Sequence, residues 1–211
     1  MREATGGAGG DPARRAYWLK TLHQWHWISA AVCLIAMLMF AVTGITLNHA
    51  AQIKASPIVT KRDGRLPRDL VAELAAPVRE GRAALPAALR AWLAAEIGAH
   101  AETGEWSSDE LYVSLPRPGG DAWLAIELPD GAWQYERTDR GWIAWLNDLH
   151  KGRNTGATWN WFIDLFAVAC VLFSVTGLFL LQLHASRRPA TWPLVGLGLL
   201  IPLILIVLFL H

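Results

Sequence analysis

The chain of 211 residues is 53% hydrophobic and 18% charged, with a net charge of +1 and a mean hydropathy of +0.25. This is too apolar for an ordinary soluble domain, and the apolar residues gather in three uncharged blocks, 28–47, 165–183 and 194–210. At about 1.5 Å per residue each block crosses or nearly crosses a hydrocarbon core of about 30 Å, so an integral α-helical membrane protein in contact with lipid is expected.

Taken in chain order, residues 1–12 hold four glycines and no apolar period, and residues 1–20 read as a cytoplasmic tail. A first transmembrane helix is expected over 21–49, bordered by Trp18, Trp25 and Trp27. It is read as a retained anchor, because its uncharged run exceeds an ordinary signal-peptide core. Residues 50–141 form an outer domain. Helices are expected to open at Leu66-Pro67-Arg68 and at Leu85-Pro86, the second with Leu89, Trp92, Leu93 and Ile97 on one face. After Gly104 the period changes to two. Residues 111–115, 123–128 and 133–135 read as three strands, joined at Pro118-Gly119-Gly120-Asp121 and at Pro129-Asp130-Gly131.

Helices followed by an antiparallel sheet make this a small α+β domain inserted between helices 1 and 2. Residues 142–158 read as an interfacial amphipathic helix and loop, whose apolar stripe is Trp142, Ile143, Trp145, Leu146 and Leu149. A second span is expected over 159–184, a cytoplasmic turn over 185–192 and a third span over 193–211. Cys33 and Cys170 fall inside spans and read as small, soft apolar residues.

Orientation follows from the short flanks. Arg14, Arg15 and Lys20 precede the first span, and Arg187 and Arg188 occupy the turn before the third, so both flanks are expected to be cytoplasmic. Residues 50–158 are then outside, which in a bacterium is the periplasm.

One pattern occurs twice. Leu22-His23 precedes the first span, Phe40-Ala41-Val42-Thr43-Gly44-Ile45 lies near its end, and His49 stands just beyond. Leu149-His150, Phe173-Ser174-Val175-Thr176-Gly177-Leu178 and His184 repeat the order around the second span. Consecutive spans are antiparallel, so the repeat puts His23 with His184 at the inner face and His49 with His150 at the outer face. Each pair suits the two axial positions of a haem iron, held between facing helices with small residues to admit the ring. Gly44 and Gly177 supply that room. On an ideal helix His49 lies about 80° around from His23 and about 140° from His26, which favours His23 as the inner ligand and leaves His26 in reserve. His100 reads as merely exposed and His211 as a solvated cap. Asp164 is a further candidate, either as a partner of Arg153 or as a carboxylate orienting His150.

Leu22-His23-Gln24-Trp25, the two Val-Thr-Gly segments, Asp130-Gly131 and Leu149-His150-Lys151-Gly152 together resemble the PepSY-associated transmembrane helix proteins, over residues 17–185. The resemblance implies a compact member with one periplasmic PepSY-like domain, related to haem-containing inner-membrane reductases that act on ferric siderophores. This chain departs from those larger relatives in its three spans and its small outer domain.

The expected function is a bacterial inner-membrane b-type haem protein with one or two haems per chain. It would carry electrons from the cytoplasmic side to a periplasmic acceptor, in ferric-siderophore or other iron-linked reduction. With no glycine-rich dinucleotide fingerprint and no P-loop, the donor is expected to be a separate flavoprotein or a membrane quinol. A homo-oligomer is compatible with this reading, and nucleic acid is not an expected partner. The competing expectation is a non-redox PepSY sensor or assembly module on membrane anchors.

Overall fold

The structure is a computed structural model describing residues 11–54, 56–75 and 80–210. Residues 1–10 of the expected tail and His211 lie outside the described residues. The chain divides into two compact units, one made of Met1–Leu38 with Ile163–His211 and the other of Met39–Phe162.

The first unit is helical. It takes the first part of α1 (Pro12–Asn48), most of α5 (Ala157–His184), a single 3-10 turn over Ala185–Arg187, and α6 (Thr191–Phe209). Among the described residues, three helices are long and apolar enough to cross a membrane. Helix α1 begins at Pro12, nine residues before the expected start of the span, because Pro12 suits a first helical turn and Asp11 caps it by accepting from the Ala13 amide. Helix α6 is apolar all round and buries none of its residues, the pattern of a helix whose surroundings are themselves apolar.

The second unit holds the water-excluding core. Its sheet is antiparallel throughout, in the order β1-β6-β5-β4-β3-β2, with β1 Ile58–Arg65, β2 Gly81–Ala84, β3 Thr103–Trp106, β4 Glu110–Ser114, β5 Gly120–Glu127 and β6 Ala132–Asp139. The expected strands are β4, β5 and β6; β1, β2 and β3 add to them. Leu111 and Val113 of β4, Leu124 and Ile126 of β5, and Trp133 and Tyr135 of β6 alternate into the core. Against this face lie α2 (Arg68–Ala75), through Leu70 and Leu74, and α3 (Ala87–Trp92), through Leu89, with Leu93 on the π-helical turn Leu93–Ile97 that extends α3. Each fully buried leucine contributes about 1.5–3 kcal/mol.

Helix α4 (Trp142–Lys151) follows the sheet and carries His150 in its last turn. Its exposed face holds Trp142 and Trp145, as the apolar stripe predicts. Its buried face is polar, with Asn147 and Asp148. Asp148 Oδ2 accepts from the Gly119 amide at 2.8 Å, and Thr46 of α1 donates to Asn147 Oδ1 at 2.7 Å. Gly119 belongs to the β4–β5 turn with φ of +73°, and a Cβ there would stand 2.7 Å from Trp145 Cβ. Only glycine lets the turn approach the helix so closely.

Candidate functional site

Within the first unit, antiparallel α1 and α5 meet through histidine. The His26 ring fills the space that a side chain at Gly177 would take, since a Cβ there would be 3.2 Å from His26 Cε1. His26 stacks on Phe173 with ring centres 4.6 Å apart, and its Nδ1 lies 3.1 Å from both the Phe173 carbonyl and Thr176 Oγ1. A carbonyl only accepts. The Thr176 hydroxyl has already donated its proton to the Leu172 carbonyl at 2.7 Å. Nδ1 of His26 must therefore be the donor, so that in the neutral ring Nε2 is the nitrogen with the lone pair.

His23 and His184 face each other beside this contact, with ring centres 6.3 Å apart and planes at 84°. Their Nδ1 atoms donate to the carbonyls four residues earlier, Leu19 and Leu180, each at 2.8 Å. Both rings thus keep Nε2 free as well. Two imidazoles sharing one metal, at metal–nitrogen bonds of about 2.0 Å with roughly 1.1 Å more from nitrogen to ring centre, would have ring centres about 6.2 Å apart. The observed 6.3 Å lies close to that separation.

His26 and His184 also line a groove of about 800 Å³ whose remaining lining is mostly apolar, including Phe173, Gly177 and Leu181, with Arg187 and Arg188 as its cations. Haem is a flat apolar ring with two carboxylates. The groove offers such a molecule His26 and His184, apolar walls and cations, and His23, outside its lining, faces His184, so the residues fit the group.

The second unit contains a matching contact. His150 lies against Gly44, where a Cβ would stand 3.6 Å from His150 Cε1, and against Phe40 with ring centres 4.9 Å apart. Its Nδ1 is 2.7 Å from Thr43 Oγ1, and Thr43 donates its own proton to the Met39 carbonyl at 2.9 Å. His150 is accordingly an Nδ1 donor too. Trp159 Nε1 fixes the preceding residue by donating to the Leu149 carbonyl at 2.9 Å. His49 is exposed and bonds the Ile45 carbonyl of its own helix at 3.0 Å. Among the described residues no ring contact joins it to His150 as one joins His23 to His184.

The expected residues thus appear in a more specific arrangement. His23 and His184 come together as the repeat predicts, and His26 stands beside them on the Thr-Gly step of α5. Gly44 and Gly177 make room, and what occupies the room is an imidazole. Thr43 and Thr176, buried at 3% and 8% exposure, hold the rings; both stand in the repeated Val-Thr-Gly segments, which was the available signal. Arg153 pairs with Asp148 at 3.7 Å instead of Asp164, and Thr43 rather than a carboxylate orients His150. His100 is exposed, as expected.

An antiparallel α+β domain set between two apolar, histidine-bearing helices, with a third apolar helix after them, defines a membrane-helix protein with an inserted sheet domain. The match of one family model then names the group: this chain belongs to the Putative PepSY_TM-like family, over residues 17–211. Neither the comparison with curated proteins nor that with solved structures returns a match.

Proposed function

We propose that this protein spans the bacterial inner membrane three times, with its N-terminus cytoplasmic and residues 50–158 periplasmic, and that it carries electrons outward through b-type haem. The observation that carries the reading is the pair His23 and His184, which face each other from two helices with ring centres 6.3 Å apart. Haem, when bound, supplies a one-electron couple within the membrane. The protein's own residues do the rest. His184 with His23, or with His26, would hold the iron through Nε2, and Arg187 and Arg188 would pair with the carboxylates. Thr176 and Thr43 hold His26 and His150 as Nδ1 donors. His150, with His49 as its expected partner, is the candidate for a second haem. Ferric-siderophore or other iron-linked reduction is the acceptor chemistry we assign, with a flavoprotein or quinol as donor.

The purified protein should show Soret and α bands of b-type haem, reducible by dithionite and unreduced by NADH alone. A colourless preparation from haem-replete cells would refute the redox reading and favour a non-redox PepSY sensor or assembly module. Reporter fusions test orientation separately: one after Arg188 should be cytoplasmic and one at Gly119-Gly120 periplasmic.

A further inference from the structure

The first unit holds a second group of donors between the same two helices. Cys33 is fully buried, and its thiol lies 3.5 Å from Met37 Sδ, one turn further along α1. The antiparallel register is set by His23 against His184 and by His26 against Thr176. Two turns beyond His26 on one helix, and nearly two turns back from Thr176 on the other, that register brings Cys33 opposite Cys170. The register thus sets Cys170 of α5 level with the Cys33–Met37 pair of α1.

We propose that Cys33, Cys170 and Met37 form a binding site for a cuprous ion. Thiolate and thioether together are the soft donors that select Cu(I) over harder divalent ions. Zinc wants four donors, and no cluster of three or more His, Cys, Asp or Glu suited to a metal occurs among the described residues. Metal–sulfur bonds of about 2.3 Å in a trigonal site set sulfurs about 4 Å apart. The Cys33–Met37 separation of 3.5 Å is close to this, and the flexible thioether takes up the difference by a small torsion. Binding displaces thiol protons to solvent, and copper enters and stays as Cu(I), so no oxidant or reductant is consumed. The site uses none of the histidines assigned to haem and stands or falls apart from that assignment.

The test is a Cu(I) titration of the full-length protein, tag removed, in detergent under anaerobic reducing conditions, against a chromophoric Cu(I) chelator. One copper per chain is expected, with only sulfur in the first coordination shell by X-ray absorption. Cys33→Ala and Cys170→Ala should each weaken binding at least 100-fold, Met37→Leu about 10-fold, and His23→Ala with His184→Ala not at all. Copper should also protect the two thiols from alkylation in the unmutated protein, a readout that requires no variant to fold. Binding that survives both cysteine changes, or that follows the histidine changes, would overturn the proposal, as would thiols alkylated equally fast with and without copper.

Discussion

The contact of His26 with Thr176-Gly177 and the contact of His150 with Thr43-Gly44 are built from the same parts. In each, an imidazole fills the volume a glycine leaves open and donates Nδ1–H to a threonine whose own proton is spent on the helix backbone. They differ in what stands beside the ring. His26 is accompanied by the facing pair His23 and His184 and by an apolar groove carrying two arginines. His150 is wedged against Phe40 on a helix tied to the sheet domain by Asp148 and Gly119. The shared parts teach that the repeated Val-Thr-Gly segment is a receptacle for histidine. The difference is that, among the described residues, a facing pair of imidazoles stands beside His26 and none stands beside His150.

If that distinction holds, the largest effect should come from the paired rings. His184→Ala should remove most of the haem held by the first unit, read as a loss of Soret absorbance per chain. His23→Ala added to it should change little more, because two ligands of one iron act as a unit. His49→Ala should have the smaller effect, since among the described residues no ring contact joins His49 to His150 as one joins His23 to His184; equal losses from both changes would erase the contrast.

The attachment of α4 can be broken next. Asp148→Ala leaves the Gly119 amide without its acceptor and Arg153 without its carboxylate, for a cost of about 1–3 kcal/mol in unfolding of the sheet domain. The haem binding proposed for the first unit should be unaffected.

Steric tolerance separates the two receptacles more finely. A Cβ at Gly177 would come within 3.2 Å of His26, whereas one at Gly44 stands at an ordinary 3.6 Å from His150. Gly177→Ala is therefore expected to destabilise by about 1 kcal/mol or more. Gly44→Ala should be neutral or slightly stabilising through better helix propensity, by up to about 1 kcal/mol. Thermal unfolding of the two variants side by side checks the order.

The smallest effect concerns the start of α4. The backbone amide of Gly141, and then Arg117 and Arg137, hold the Asp139 carboxyl below its ordinary range against a modest opposing desolvation. A lowered folded value means that this contribution is fully present above the ordinary carboxylate range and is lost as pH falls through the lower folded value. Asp139→Asn should flatten the acid limb of the stability curve slightly and leave neutral pH almost unchanged.

Much of this architecture can be read from residue order, and the parts that cannot have physical reasons. Strands β4 to β6 alternate because one face packs on helices and the other does not. Strand β1 is nearly all exposed and carries Lys61, Arg62, Asp63 and Arg65, so its pairing with β6 leaves no apolar signature. Strands β2 and β3 have four residues each, too short for a period. The doubled motif identifies the histidines, but a repeat in one dimension does not say which ring lands on which glycine. The helical-wheel comparison of His23 and His26 used His49 as its reference, while the contact that sorts them lies on the other helix, at Gly177.

Each receptacle is also a short conductor of polarity. From the free Nε2 of His150 the ring passes to Nδ1–H, then to the Thr43 hydroxyl, then to the Met39 carbonyl, each group donating to the next; His26, Thr176 and the Leu172 carbonyl repeat the series. Charge gathered at one end of such a chain polarises every link. Whatever binds Nε2 thus draws on the peptide dipoles of a neighbouring helix, and serine in place of either threonine preserves the conduction while valine cuts it.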